Sequence, residues 1–424
     1  MAGVNRGFRA AQRDSEAVVA RLRATPGAQG RASDEDAAAR AALSLLAEPG
    51  DGTLGTLVAA LGAEETASFI ASDGTADRLV ARLGGDVGLT ARAVVDGISR
   101  WRPRLDAGAL VRSLAQAQRI GAGVLVPGDP GWPRRLDDLG VHAPLAVWVR
   151  GDPALVAAPA AIAVVGARAA TGYGEQLTLE SVAGLVDRGC TIVSGGAYGI
   201  DGAAHRAALH RGGATVAVLA GGADRFYPQG HAALLDEIAV RGAVISELPC
   251  GAAPTKWRFL ARNRVIAALS GAVVVVEAGW RSGALNTAHH AATLGRPVGV
   301  VPGPVTSPAS AGCHRLLREQ EAVCVTDAAE MAELLGPTGG AVVLESPTAE
   351  PESTERRPDR SHDEFGELEL RMLDAMSARV PRPAAELAAR AGIEPPRALG
   401  ALGTLDALGR VRRTTEGWLL RGRG

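Results

Sequence analysis

Six short apolar runs in the middle of the chain limit the possible folds more than any other feature. Each is three to five residues long and rich in Val and Ile, and a helical segment of ten or more residues separates one run from the next. Because the runs do not alternate apolar with polar residues, they predict strands buried on both faces of a parallel sheet. The sequence therefore predicts a doubly wound α/β fold. The runs are 162–165, 191–193, 215–219, 243–245, 272–276 and 297–301.

The segments around these runs predict further domains. Residues 123–126 and 145–149 resemble strands added at one edge of the sheet, and the helical segments before them are punctuated by Gly and Pro. After a polar, Pro-containing stretch, three helices and a hairpin predict a winged-helix-like end. The predicted domains are a polar tail, with a frayed helix as the alternative (1–36), a helical domain (37–118), the sheet domain (119–337), a linker (338–362) and a winged-helix-like domain (363–424).

Composition excludes several classes of protein. The 424 residues carry 45 Lys and Arg against 46 Asp and Glu, so any basic surface must come from local clustering. No apolar run is long enough for a transmembrane helix, and the first residues lack the apolar core of a signal peptide. The four cysteines form no CxxC pair. These features predict a cytoplasmic protein with no membrane partner.

Glycine-rich loops follow most of the predicted strands. In an open parallel sheet these loops lie together at the carboxyl edge, where ligands bind. Their glycines let backbone N–H groups approach an anion, and helix N-termini add positive potential, so together they indicate a phosphate-bearing ligand. For any one loop the alternative is that the turn simply needs glycine. The loop after the first predicted strand does not spell GxGxxG, and no Walker motif occurs in the chain, so no nucleotide cofactor is predicted.

The segment KWRFLARNR (256–264) is the densest cationic cluster of the sheet domain. It carries four cations, two aromatic residues and no acid, and it includes the only lysine of the chain, Lys256. Guanidinium groups bind phosphate oxygens and stack on bases, and aromatic rings stack on bases without sequence preference. The alternative is a solvated helix face. The interleaved aromatics favour a nucleic-acid contact at the same sheet edge.

No group of residues has the pattern of a catalytic or metal site. The histidines and cysteines lack zinc spacing, and no GxSxG nucleophile motif occurs. Glu247 and Glu277 follow two predicted strands, where a carboxylate could act as a base. They are the best support for an enzyme, although capping of loops or pairing with nearby arginines explains them as well.

Taken together, the motifs resemble the DprA/Smf family of DNA-processing proteins. The resemblance covers residues 120–337 and depends on the order and spacing of many short segments. These are DPGWPRRL (129–136), VVGAR (164–168), YG (173–174), SGGAYGID (194–201), AH (204–205), YP (227–228), SE (246–247), RNRVI (262–266), VE (276–277), SG (282–283) and PG (302–303).

The resemblance implies a fold and a function. Family members have an extended Rossmann-like domain that binds single-stranded DNA, often with an N-terminal helical domain of SAM or helix-hairpin-helix type and a C-terminal winged-helix-like domain. They form dimers and help to load RecA during natural transformation, so we expect single-stranded DNA, RecA and a homodimer as partners and no catalytic role. The DNA contacts implied by the motifs are Arg168, Ser194, Gly195, Gly196, Lys256, Arg262, Asn263, Arg264, Ser282 and Gly283.

Three positions depart from the family pattern. Gly312-Cys313-His314 replaces a Gly-Thr-Asn segment, Leu260 replaces a proline, and Asn286 occupies a usually apolar helix position. Two other functions remain open from the residues. One is a nucleotide hydrolase or phosphoribohydrolase on a similar phosphate-binding scaffold, and the other is duplex DNA binding by the C-terminal domain.

Overall fold

The computed structural model describes residues 2–23, 32–72, 74–83, 88–319, 322–336, 367–377, 380–391, 393 and 395–421. The predicted linker (338–362) lies outside these residues. In the described part of the chain, no helix is both long and apolar enough to cross a bilayer.

Helices form the N-terminal part of the molecule, and polar caps fix where several of them begin. The hydroxyl of Ser33 accepts the N–H of Asp36 at the start of α2, and the carboxylate of Asp51 accepts two N–H groups at the start of α3. The helices are α1 (Ala2–Leu22), α2 (Asp34–Leu46), α3 (Gly52–Leu61), α4 (Ala63–Ile70), α5 (Ala76–Leu83), α6 (Ala91–Trp101) and α7 (Ala107–Arg119).

The prediction of a polar tail over residues 1–36 is wrong. Residues 2–22 form α1, which packs against α2 and α7 and buries Phe8 and Val19 in the helical core. These few apolar positions are widely spaced among polar residues, so the composition hides the buried face. At its end, buried Arg23 pairs with Asp129, the first residue of the DPGWPRRL segment, and so joins the helices to the sheet domain.

A large, mostly parallel sheet forms the middle of the molecule, as predicted. Nine strands of the described chain pair in the order β1-β2-β6-β5-β4-β3-β7-β8-β9, with antiparallel pairing only at β1–β2 and β2–β6. The two predicted edge strands are β1 and β2. The strands are β1 (Gly123–Leu125), β2 (Val147–Gly151), β3 (Ala161–Val165), β4 (Thr191–Ser194), β5 (Thr215–Leu219), β6 (Ala243–Ser246), β7 (Ala272–Val275), β8 (Val298–Val300) and β9 (Ala322–Cys324).

Helices cover both faces of the sheet, which explains why the strands are apolar throughout. Ile162 and Val164 of β3 belong to one buried cluster, and Ala163 and Val165 belong to the cluster on the opposite face. The helices are α8 (Gly172–Asp187), α9 (Ile200–His210), α10 (Ala232–Arg241), α11 (Lys256–Leu269), α12 (Ala284–Thr293), α13 (Ala311–Glu319) and α14 (Ala328–Glu333).

The strand order reverses next to β3. The chain proceeds outward from β3 through β4, β5 and β6 on one side, and through β7, β8 and β9 on the other. In such sheets the loops after the two strands at the reversal point run in opposite directions, and a crevice opens between them. This topology places the loops after β3 and β7 on either side of one crevice.

The C-terminal part has three helices and a hairpin, with a small core of its own. Leu387, Leu402 and Val411 are among its fully buried residues. The elements are α15 (Glu367–Ala375), α16 (Ala384–Ala391), α17 (Pro395–Ala407), β10 (Val411–Thr414) and β11 (Gly417–Leu420), with β10 and β11 antiparallel.

Candidate nucleic-acid interface

A cleft of about 480 Å³ occupies the crevice where the strand order reverses. The loop after β3 forms one wall, the loop after β7 forms the other, and α11 forms the floor. Five of the predicted site residues line it: Arg168, Arg262, Asn263, Ser282 and Gly283. The topology therefore brings together residues as far apart in the chain as Arg168 and Gly283.

Arg262 is buried at the base of the cleft. Its Nη1 donates to the carbonyl oxygens of Gly195 (2.6 Å) and Val218 (2.5 Å). Burial lowers the pKa of Arg262 to about 10, against the opposing effect of the buried carboxylate of Asp201, so the guanidinium remains charged at neutral pH. Arg262 thus places a positive charge beneath the cleft and at the same time joins the loop after β4 to strand β5.

Asp201 and Gly195 complete this buried arrangement. The Oδ2 of Asp201 accepts the N–H of Gly195 (3.2 Å) from its place in the first turn of α9. Burial raises the pKa of Asp201, while Arg262 and backbone N–H groups oppose the rise. A Cβ at Gly195 would lie 2.3 Å from the Nη1 of Arg262, so the guanidinium can reach the loop only because residue 195 is glycine.

Arg168 is exposed at the mouth of the cleft, above an aromatic pair. Its guanidinium lies 5.2 Å from the ring centroid of Phe259, and that ring packs against Tyr227 at 5.5 Å. The ring of Phe259 also lies 6.0 Å from the guanidinium of Arg262. A cation beside an aromatic ring can bind a phosphate and stack a base at adjacent positions.

Asn263 of the floor is bonded to the wall formed by the loop after β7. The side-chain amide of Asn263 donates to the carbonyl of Gly283 (3.3 Å) and to the Oδ1 of Asn286 (3.2 Å). The hydroxyl of Ser282 accepts the N–H of Ala284 (3.3 Å) at the start of α12. Asn286, which departs from the family pattern, therefore has a polar partner that explains it.

Ser194 and Gly196 lie behind the cleft and do not line it. The hydroxyl of Ser194 is fully buried and donates to the carbonyl of Val164 (2.7 Å). Gly196 has a positive φ of 67°, and its carbonyl accepts a hydrogen bond from the Nδ1 of His231. Ser194 ends β4 and Gly196 shapes the loop after it, and neither residue lines the cleft.

Arg264 does not join the cleft, contrary to the expectation that it acts beside Arg262. Its Nη2 donates to Glu247 (2.7 Å), and its guanidinium packs against Gly50 in the turn between α2 and α3. Residues two apart on a helix project in nearly opposite directions, which explains why the two arginines separate. Lys256 is exposed in the first turn of α11, also outside the cleft.

The structure adds three cleft residues that the sequence analysis did not choose. Phe259, Trp280 and Arg281 line the cleft, and Trp280 remains 60% exposed with Arg315 over its ring. Their signal was present in the sequence, because Trp280 and Arg281 directly precede Ser282 in the same loop, and Phe259 lies within the cationic segment.

Cys313 and His314, which depart from the family pattern, contact the end of β7 and the loop after β8. Burial raises the pKa of Cys313 to about 11, and its Sγ packs against the carbonyl oxygens of Val275 and Val276. The Nε2 of His314 donates to the carbonyl of Gly303 (3.0 Å). The imidazole of His314 therefore fixes the Pro302-Gly303 loop.

The C-terminal helices close one end of the cleft. Ala389 of α16 is part of its lining, and the Nη2 of Arg371 donates to the carbonyl of Arg168 (3.2 Å). The hydroxyl of Tyr198 donates to Asp374 of α15 (2.7 Å). A ligand in the cleft would therefore lie next to these helices.

Comparison with known proteins decides the family. The family model of DNA recombination-mediator protein A matches residues 123–336. A putative DNA processing protein DprA from Mycobacterium tuberculosis is 42% identical over 388 residues, which is 89% of this chain and 92% of that protein. The chain belongs to the DprA family.

Further DprA proteins agree with this assignment. DNA processing protein DprA from Streptococcus pneumoniae is 43% identical over 42% of this chain and 62% of that protein. The crystal structure of DprA from that species covers 70% of this chain and 95% of its own, with 30% identity and a TM-score of 0.55. The mixed α/β fold with its large, mostly parallel sheet is therefore that of the DprA family.

Among the described residues, no group of three or more His, Cys, Asp or Glu side chains could hold a metal ion. Asp201 lines the cleft and is bonded to the loop after β4, and Glu277 is bonded to Thr171.

Proposed function

We propose that this chain binds single-stranded DNA in the cleft and acts as a recombination mediator. The observation that carries the proposal is the position of Arg168, exposed over Phe259 at the mouth of a cleft whose floor holds the buried charge of Arg262. Phosphates can bind to the guanidinium and to the loop edges, while unpaired bases stack on the ring. Membership of the DprA family supports the same function.

Within the predicted set, we assign direct contacts to the cleft residues and supporting roles to the others. Arg168, Ser282 and Gly283 would contact the strand, with Phe259 and Trp280 as stacking surfaces. Arg262 and Asn263 would act from the floor. Ser194, Gly195 and Gly196 would shape the loop, Lys256 would contact the strand as it leaves the cleft, and Arg264 would hold the helical part in place.

The test compares two arginine variants by fluorescence anisotropy with a labelled oligothymidylate. Arg168→Ala removes a charge-assisted contact and is expected to weaken binding about tenfold, and to reduce the log–log salt slope by about 0.7. Arg211→Ala is the matched control, because this exposed arginine follows the far end of α9 and pairs with Asp187. Equal affinity of Arg168→Ala and the unchanged protein would refute the site.

The alternative is an enzyme that hydrolyses a nucleotide or its glycosidic bond, and its candidate bases have other partners. Glu277 is 1% exposed and accepts both the N–H (2.8 Å) and the hydroxyl (2.6 Å) of Thr171. Glu247 pairs with Arg264. Both contacts favour the structural reading of these carboxylates. Incubation with nucleoside monophosphates tests the enzyme, and release of free base would establish it.

We also propose the partners and domain types that the resemblance implies. Helices α1–α7 would form a SAM or helix-hairpin-helix-like domain that begins with α1, and α15–α17 with the β10–β11 hairpin would form a winged-helix-like domain. The protein would act as a homodimer that loads RecA. Light scattering tests the dimer, and RecA-dependent ATP hydrolysis on protein-coated single strands tests loading.

A further inference from the structure

We propose that the DNA strand leaves the cleft over the first turn of α11 and continues into a second groove, which binds the backbone of the same strand. This groove lies between helices α2 and α7 and the loops after β5 and β6. The proposal rests on the proposed function, because it extends the site of single-strand binding onto the N-terminal helical part.

The second groove is larger than the cleft, at about 730 Å³, and its polar lining is dominated by arginines. Arg112 and Arg119 come from α7, Arg225 comes from the loop after β5, and Arg258 comes from α11. Asp224 is the carboxylate among the described lining residues, and its Oδ1 accepts the N–H of Gly251 (2.8 Å). Four guanidinium groups around one open groove favour an anionic ligand.

Two of these arginines are held in close ion pairs. Arg258 pairs with Glu48 and Arg112 pairs with Asp106, two acidic residues outside the lining.

The other two arginines have weaker partners. Arg119 is exposed and donates to the neutral amide of Gln116, and Arg225 is 58% exposed with Asp224 at 3.7 Å. A phosphate could therefore bind Arg119 and Arg225 without displacing a close ion pair.

The first turn of α11 connects the groove with the cleft. Arg258 lines the groove and the next residue, Phe259, lines the cleft, so adjacent Cα atoms about 3.8 Å apart belong to different depressions. The two preceding residues of the same turn form an exposed ridge. They are Lys256, which is exposed, and Trp257, which is 79% exposed. The ridge thus presents a cation and an aromatic face to a chain that crosses it.

These features select a single strand as the occupant. A flexible single strand can bend over a ridge and stack an unpaired base on Trp257, whereas the bases of a duplex are already stacked on each other. The groove has basic side chains for the backbone, and the ridge has the stacking surface. An acidic protein segment would use the arginines but would not need the exposed indole.

The experiment uses the full chain and oligothymidylates of two lengths, about 6 and about 25 nucleotides, since comparable single-strand sites span about 4–16 nucleotides. The test variant is Arg119→Ala with Arg225→Ala, and because both side chains are exposed we expect the variant to fold normally. The control is Arg211→Ala with Arg318→Ala, which also removes two exposed arginines, both outside the cleft and the groove. Melting curves verify that the variants fold alike.

The expected result depends on length. The test variant should bind the short oligonucleotide as the unchanged protein does, and should bind the long one about tenfold or more weakly, with a salt slope reduced by about 1.4. Arg168→Ala should weaken both lengths. A third variant, Trp257→Ala, should weaken only the long oligonucleotide.

Each other outcome overturns a defined part of the model. If the test variant binds the long oligonucleotide normally while Arg168→Ala does not, the second groove is refuted and the cleft is retained. Equal weakening at both lengths refutes a separate groove site. If the unchanged protein binds neither length, the proposed function itself fails. A polyaspartate probe tests the remaining occupant. If the test variant loses binding to polyaspartate but binds both oligothymidylates normally, the groove is assigned to an acidic protein.

Discussion

The hydroxyl of Tyr198 donates a 2.7 Å hydrogen bond to the Oδ2 of Asp374, and this contact joins the glycine-rich loop after β4 to the first C-terminal helix. The same oxygen accepts the N–H of Gln229 (3.1 Å). The guanidinium of Arg371 lies 4.9 Å from the ring centroid of Tyr198 and also donates to the carbonyl of Arg168. The C-terminal helices are therefore attached to the wall of the cleft itself.

Tyr198→Phe should loosen this attachment. The change removes a hydroxyl donor from a half-buried carboxylate, which costs about 1 kcal/mol, so backbone amides of α15 should exchange hydrogen about fivefold faster. Hydrogen–deuterium exchange read by mass spectrometry measures the rate. Tyr173→Phe is the control, because that hydroxyl donates to the carbonyl of Pro302 on another loop. Unchanged exchange in α15 would show that the hydrogen bond does not hold the helices.

The sequence was sufficient to predict the sheet and the place of the cleft. Apolar runs without alternation indicate buried parallel strands, and loops after parallel strands meet at one edge whatever their other contacts. For that reason Arg168 and Ser282, which are distant in the chain, could be assigned to one site. The prediction needed only local patterns and the topology that they imply.

Side-chain partners from distant segments could not be predicted in this way. Arg262 and Arg264 belong to the same cationic run, but their helix directs one toward Gly195 and the other toward Glu247 and Gly50. Which face of a buried helix meets which loop depends on tertiary packing. For the same reason α1 was mistaken for a tail, since its buried residues gain their partners only when α2 and α7 are in place.

Arg262→Ala should destabilise the protein as well as weaken DNA binding. The change leaves the carbonyl oxygens of Gly195 and Val218 without this donor. It also removes the positive charge that stabilises the buried carboxylate of Asp201, so the free energy of unfolding should fall by about 3 kcal/mol. Urea titration followed by circular dichroism should show a lower midpoint. Arg168→Ala is the control, with an expected change below about 0.5 kcal/mol, because its side chain is exposed. Equal midpoints for the two variants would contradict the structural role of Arg262.

Gly195→Ala should disturb the same arrangement from the opposite side. The added Cβ would lie 2.3 Å from the Nη1 of Arg262, so the guanidinium or the loop must move, at a cost of about 1–3 kcal/mol. The melting temperature should fall and DNA binding should weaken with it. Gly172→Ala, at the start of α8, is the control, because a Cβ there meets no atom within 4 Å. If both variants melt alike, Gly195 is not required for the close approach.

His205 makes the stability of the sheet domain depend on pH. Its ring is fully buried, with Nδ1 2.7 Å from the hydroxyl oxygen of Thr215, which itself donates to the carbonyl of Ile192 (3.0 Å). The imidazole Nδ1 is therefore the donor to Thr215, and Nε2 is the unprotonated nitrogen. Burial lowers the pKa of His205 from 6.5 to about 3, and nearby His231, Arg206 and Arg262 contribute to the fall.

Because the unfolded chain binds this proton more tightly than the folded one, the contribution of His205 is fully present above pH 6.5. This contribution is lost as the pH falls from 6.5 toward about 3. Over that range the free energy of unfolding should decrease by up to about 1.4 kcal/mol per pH unit. Urea titrations between these limits measure the slope. His205→Gln should flatten it, whereas His210→Gln, at the exposed end of the same helix, should leave it unchanged. Identical slopes for the unchanged protein and His205→Gln would show that the buried imidazole is not the group responsible.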